Sequence, residues 1–85
     1  MECQSLLRNP NSMDSDDFQQ AQYLLARRIK RLRKEASMSQ EALAHNAEID
    51  RTYVSQLERS LVNPSLAVLI RISRSLKIHV SELLR

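Results

Sequence analysis

The chain lacks glycine and tryptophan altogether, and its 85 residues include one cysteine, two prolines and only three aromatics. At the usual glycine frequency of roughly 7%, a chain of this length carries about six. Their absence excludes the Walker A loop, the Rossmann fingerprint, the EF-hand turn and the G-x-S-x-G elbow, each of which needs glycine for a positive backbone angle or for close approach to phosphate. Type I′ hairpins are handicapped for the same reason, which favours an all-helical chain. Cys3 alone cannot close an internal disulfide, and with no C-x-x-C pair or Cys/His cluster there is nothing to hold zinc. A lone thiol suits a reducing cytoplasm. No apolar run approaches the roughly 20 residues of a membrane span, and Leu6-Leu7 is too short for the core of a signal peptide. No cofactor, metal or membrane partner is therefore expected. The length allows one small core, in the range where a monomer is only marginally stable, so self-association is expected.

The charge is uneven along the chain. Residues 1–20 hold Arg8 against Glu2, Asp14, Asp16 and Asp17, a net −3, whereas residues 21–85 carry twelve Lys/Arg against six Asp/Glu, a net +6. A basic domain behind an acidic leader makes nucleic acid a reasonable partner. Basicity alone is weak evidence, since a run such as Arg27-Arg28-Ile29-Lys30-Arg31 is usually just a solvated helix face.

Residues 1–14 have little periodic hydrophobicity and read as a flexible acidic leader, with residues 15–85 forming the domain. Ser15, Asp16 and Asp17 supply an N-cap and acidic first turn. Gln19 to Ala36 then reads as a helix with Leu25, Ile29, Leu32 and Ala36 on a buried stripe and Arg27, Lys30, Arg31 and Lys34 outside it. Ser39 caps a short second helix over Gln40 to Asn46. Asp50 caps a third from Arg51 to about Arg59, with Val54 and Leu57 on one face. Asn63-Pro64 stops the chain, and Ser65 caps a fourth helix with Leu66, Leu69, Ile70 and Leu76 inward. A last short helix covers roughly Val80 to Leu84. The expectation is an all-α, compact five-helix domain.

The stretch from Gln40 to Arg59 carries the functional signal. With Gln40 as position one, small Ala44 falls at position five, Ile49 at ten, Val54 at fifteen and Leu57 at eighteen. Two short helices that cross steeply need a small side chain where their backbones approach, and apolar residues at the joint and on the second helix's inner face. That is the helix-turn-helix arrangement, whose second helix places its N-terminal residues on base edges in the DNA major groove.

Four blocks, Ile29-Lys30-Arg31-Leu32-Arg33-Lys34-Glu35, Ser39 to Ala44, Tyr53 to Arg59 and Asn63-Pro64-Ser65-Leu66, resemble the XRE family of Cro and lambda-repressor-like regulators. The resemblance covers residues 22–85. Asp50 to Ser55 followed by Leu57-Glu58-Arg59 is most similar to the controller proteins of restriction-modification systems. It implies a sequence-specific transcriptional regulator that binds a pseudo-palindromic operator in double-stranded DNA as a homodimer, near its own promoter, with RNA polymerase as a further partner. A phage-repressor-like regulator and an antitoxin-type protein-binding module are the alternatives.

Arg51 and Thr52 open the third helix and are the first candidates for base reading, because Arg holds guanine bidentately and the Thr methyl meets thymine. Ser55 and Gln56, one turn on, share that face or else merely fill a polar surface. Gln40 sits at a helix N-terminus that suits a phosphate. In the family the matching glutamine clamps the DNA backbone, with Ser39 as a helper here. Tyr53, Arg59 and Asn63 are further phosphate candidates, Tyr53 having packing as its competing role. The resemblance also implies an Arg33–Glu58 ion pair, the competing reading being two surface charges.

The aliphatic C-terminal third supplies the expected dimer interface, at Leu69, Ile78, Val80, Leu83 and Leu84. His45 and His79 stand alone, without a nucleophile or metal partner, so no catalytic site is expected. Met38 reads as core filler. The family commonly places glycine at four helix ends; here those places hold Ser37, Glu48, Ser60 and Lys77. At Glu48 either a strained left-handed residue or an altered turn is expected.

Overall fold

The computed structural model describes residues 10–85, and side chains from Asp16 onward. Residues 1–9 of the expected leader lie outside the described residues. Among the described residues five helices follow in order: α1 Pro10–Glu35, α2 Gln40–Ala47, α3 Arg51–Glu58, α4 Leu66–Ser75 and α5 Ser81–Leu84. No strand occurs among the described residues.

α1 begins earlier than its sequence pattern suggests. The described helix already runs from Pro10, so Ser15, Asp16 and Asp17 lie within it and not at its cap. At 1.5 Å per residue its 26 residues span about 39 Å. That length dominates the 45 × 23 × 19 Å envelope.

Ile29, Leu43, Val54, Leu57 and Ile72 are completely buried, and Ala44, Ala47, Leu69, Leu76 and Leu83 join them in one core. Small Ala44 is buried in this core, and α2 packs directly on α3. Two inward assignments fail outright, and a third, Ile70, is only half-buried and does not join the core. Ala36 is exposed because α1 ends at Glu35 and the chain turns away, while buried Ala26 and Arg33 complete the stripe with Ile29. Leu66 is 60% exposed, because it starts α4 one turn before the stripe of Leu69, Ile72 and Leu76 finds neighbours to cover it.

Four helices end alike. Ser37, Glu48, Ser60 and Lys77 have φ of 58°, 59°, 61° and 61°, the left-handed conformation that normally calls for glycine. Each donates its N–H to the carbonyl three residues back, and the next residue donates to the carbonyl five back, at 2.9–3.2 Å. This is the Schellman closure, which satisfies carbonyls a helix end leaves unpaired. The residue after each left-handed position is apolar: Met38, Ile49, Leu61 and Ile78. Three of these pack on the core, whereas Leu61 is 57% exposed. A Cβ at each left-handed position costs about 1 kcal/mol. At Glu48, with φ 59° and ψ 45°, the turn is retained in its left-handed form.

Candidate nucleic-acid interface

α2, the Glu48 turn and α3 form the helix-turn-helix unit. Ser39 is an extended N-cap whose Oγ accepts the Ala42 N–H at 2.9 Å. Asp50 holds the N-cap position of α3 in the same extended geometry, but its carboxylate makes no capping bond. The cap expected of it is present in backbone only. Val54 and Leu57 are buried in the core, and Ile49, in the turn between the two helices, packs against it.

The residues that sequence reasoning assigned to DNA are exposed or half-buried. Arg51 and Thr52 are exposed at the start of α3, and Ser55 and Gln56 are half-buried one turn later. Ser39, Arg59 and Asn63 are exposed, and Gln40 is half-buried at the start of α2. Tyr53 is also half-buried, lining a small depression with Glu48, Ile49, Asp50 and Val68. Its ring is therefore partly a packing element over the turn.

At the far end of α3 lies a closed polar network. Arg33 Nε and Nη2 donate to Glu58 Oε2 and Oε1 at 2.6 and 2.9 Å, and Arg33 Nη1 donates to the Met38 carbonyl at 2.8 Å. Gln40 Nε2 donates to the same Glu58 Oε1 at 3.1 Å. The two charged side chains are only 9% and 2% exposed, so the surface-charge alternative is excluded. This bidentate fork joins α1, the α1–α2 turn, α2 and α3. The hydrogen bonds to Glu58 raise the Arg33 pKa against the opposing effect of burial, with the nearby carboxylate charge adding to the rise. A raised folded pKa gives stability that is complete below the unfolded value and lost only as pH rises through the folded one. Arg33 therefore brings no pH dependence near neutrality.

Sequence reasoning missed two bonds that position the site. Gln22 Nε2 donates to the Val62 carbonyl at 2.8 Å, tying the loop that carries Asn63 to α1. Gln40 donates to Glu58. Neither had a sequence signal, since their partners lie 40 and 18 residues away.

The expected dimer residues divide. Leu69 and Leu83 are 6% and 2% exposed and belong to this chain's own core, whereas Ile78 and Val80 are half-buried against it and Leu84 is 56% exposed. No group of three or more metal-ligating side chains occurs among the described residues.

A helix-turn-helix family model matches residues 29–83. The chain is 46% identical over 57 residues to control protein C.MunI of a Mycoplasma species, covering 66% of this chain and 77% of that protein. It is 39% identical over 59 residues to the immunity repressor of Bacillus phage phi105, covering 69% of this chain but only 41% of the repressor. The restriction-modification controller protein C.AhdI of Aeromonas hydrophila superposes with a TM-score of 0.72 at 34% identity, over 73% of this chain and 94% of that one.

Proposed function

We propose a function from one premise: the chain belongs to the XRE-type helix-turn-helix family of DNA-binding regulators. It binds a pseudo-palindromic operator in double-stranded DNA as a homodimer and regulates transcription in the cytoplasm, as a controller protein of a restriction-modification system acting near its own promoter. The mechanism is occupancy without chemistry: the bound dimer blocks RNA polymerase or helps recruit it. Similarity to C.MunI and C.AhdI over most of their lengths supports the controller reading above the phage-repressor one, whose relative is spanned over only 41% of its length.

One observation carries the reading. Arg51 and Thr52 stand exposed at the N-terminus of a helix whose other end is locked to α1 and α2. In this reading Arg51 and Thr52 contact base edges, with Ser55 and Gln56 behind them. Ser39, Gln40, Tyr53, Arg59 and Asn63 hold phosphates and set the register. The Glu58 bond would keep the Gln40 amide beside the first turn of α2, with its second N–H available to a phosphate oxygen. Ile78, Val80 and Leu84 contribute to the dimer surface, with Leu69 and Leu83 supporting them from inside. Two recognition helices would then enter successive major grooves about 34 Å apart.

Gel shifts on the DNA upstream of the gene test this. Binding should be sequence-selective and should weaken steeply as salt rises, because each neutralised phosphate releases counterions. Arg51→Ala should lose about 1–3 kcal/mol of discrimination at one base position of a randomised operator library. An unchanged base preference would remove Arg51 from the reading surface, and salt-insensitive, non-selective binding would sink the regulator reading itself.

A further inference from the structure

The run Arg27-Arg28-Ile29-Lys30-Arg31, unremarkable as sequence, is divided by the fold between two sides of α1. With buried Ile29 at zero, Gln22, Arg33 and Ala26 stand at about 20°, 40° and 60° around the helix axis. This side meets α3 and the loop after it, for Arg33 binds Glu58 and Gln22 binds the Val62 carbonyl. Leu25, Arg28 and Arg31 turn the other way, to about −40°, −100° and −160°, and line a groove that α1 forms with α5.

Beyond the Arg33 side lies another row. Lys30, Tyr23, Lys34 and Arg27 follow at about 100°, 120°, 140° and 160°, and all are exposed. Arg27 also borders the groove, but its guanidinium leans to this row. It lies 5.6 Å from the centre of the Tyr23 ring, and its Nη1 donates to the Tyr23 hydroxyl oxygen at 3.1 Å. Among the described residues Arg27, Lys30 and Lys34 form no ion pair, whereas Arg31 on the groove side reaches Glu35 at 3.7 Å. Tyr23 and Arg27 also precede residues 29–83, the segment matched by the family model.

Two of the residues assigned above to phosphates hang from this flank of α1. Gln40 is held through Glu58 to Arg33, and Asn63 follows Val62, which Gln22 holds. The tethers at Gln22 and Arg33 are about 16 Å apart along the helix, and the row from Tyr23 to Lys34 runs the same length beside them. A polyanion that meets both Gln40 and Asn63 therefore passes alongside cations that no carboxylate of the described residues neutralises.

We propose that this row is a further DNA-backbone contact, in which Arg27, Lys30 and Lys34 each hold a phosphate beside those met by Gln40 and Asn63. Tyr23 is a positioning residue that keeps the Arg27 guanidinium on this side of the helix. The proposal rests on the DNA-binding reading above and extends it to a part of α1 outside the helix-turn-helix unit. Such contacts add affinity and carry no base information, so α1 sets how tightly the protein holds DNA and α3 sets where.

Salt titration of binding to the fragment that shifts in the gel assay tests it, because the slope counts neutralised phosphates. Arg27→Gln, Lys30→Gln and Lys34→Gln combined should make the slope of log K against log salt shallower by about 2.7 per protomer, about 0.9 for each phosphate. Base preference in the randomised operator library should stay unchanged. Lys30→Gln and Arg31→Gln remove equal charge from adjacent residues on different sides of α1, and only Lys30→Gln should lower the slope. Tyr23→Ala should weaken binding severalfold when Arg27 is present and have no further effect in the Arg27→Gln background. An unchanged slope in the triple variant, or equal losses for Lys30→Gln and Arg31→Gln, would overturn the contact while the regulator reading stands. Equal weakening by Tyr23→Ala with and without Arg27 would remove the positioning role. Wild-type binding that is non-selective and indifferent to salt would instead remove the regulator reading, and this contact with it.

Discussion

The two ends of α3 are opposites within eight residues. At its C-terminus Glu58 is nearly sealed from solvent, and its carboxylate accepts three hydrogen bonds, from Arg33 and Gln40. At its N-terminus Arg51 and Thr52 are exposed, and even the Asp50 cap is unused. The difference separates two tasks. The buried end fixes where the helix sits relative to α1 and α2, and the open end is free to meet a partner without disturbing that placement. A regulator can change its base readers at little cost in stability only if the anchoring is done elsewhere on the same helix.

The largest expected effect comes from breaking the anchored end. Glu58→Ala leaves the Arg33 guanidinium buried without its counter-charge and should cost about 3–5 kcal/mol, read as a lowered midpoint in urea or thermal unfolding. Arg51→Ala, at the open end, should stay within about 0.5 kcal/mol of wild type in the same measurement. Equal losses at the two positions would erase the contrast.

Next comes the turn that delivers α3. Glu48→Gly relieves the Cβ in the left-handed region and should stabilise the domain by about 1 kcal/mol. A clear loss of stability would mean that the Glu48 side chain has a contact worth more than the strain. The smallest and most diagnostic comparison is between the two caps. Ser39→Ala removes a formed capping bond and should cost about 1 kcal/mol, whereas Asp50→Ala removes none and should cost less. Equal costs would show that Asp50 caps α3 in solution, and that the N-terminus of the recognition helix is less open than its geometry indicates.

Much of this was legible in the residues. The Gln40-to-Leu57 spacing located both helices of the motif, Ser39 and Ser65 marked the caps of α2 and α4 correctly, and all four left-handed positions fell where the family resemblance put them. The misreadings share a cause. Ala36 and Leu66 have the right spacing for their stripes, but periodicity says which side of a helix is apolar and not where a neighbouring helix stops covering it. Leu69 and Leu83 look like surplus aliphatics until the packing of α4 and α5 uses them in the chain's own core. Asp50 has the right chemistry for a cap, yet its carboxylate makes no capping bond.

By itself the sequence determined the local elements: the helices and the motif that joins α2 to α3. These depend on backbone preference and on side chains a few residues apart. Only the tertiary structure decided that Gln40 and the Met38 carbonyl join the expected Arg33–Glu58 pair in one buried network, that Gln22 holds the loop bearing Asn63, and that the first half of α1 carries its apolar residues out into solvent. Bonds between residues 18 to 40 positions apart, and the cover that one helix gives another, exist only once the chain has folded.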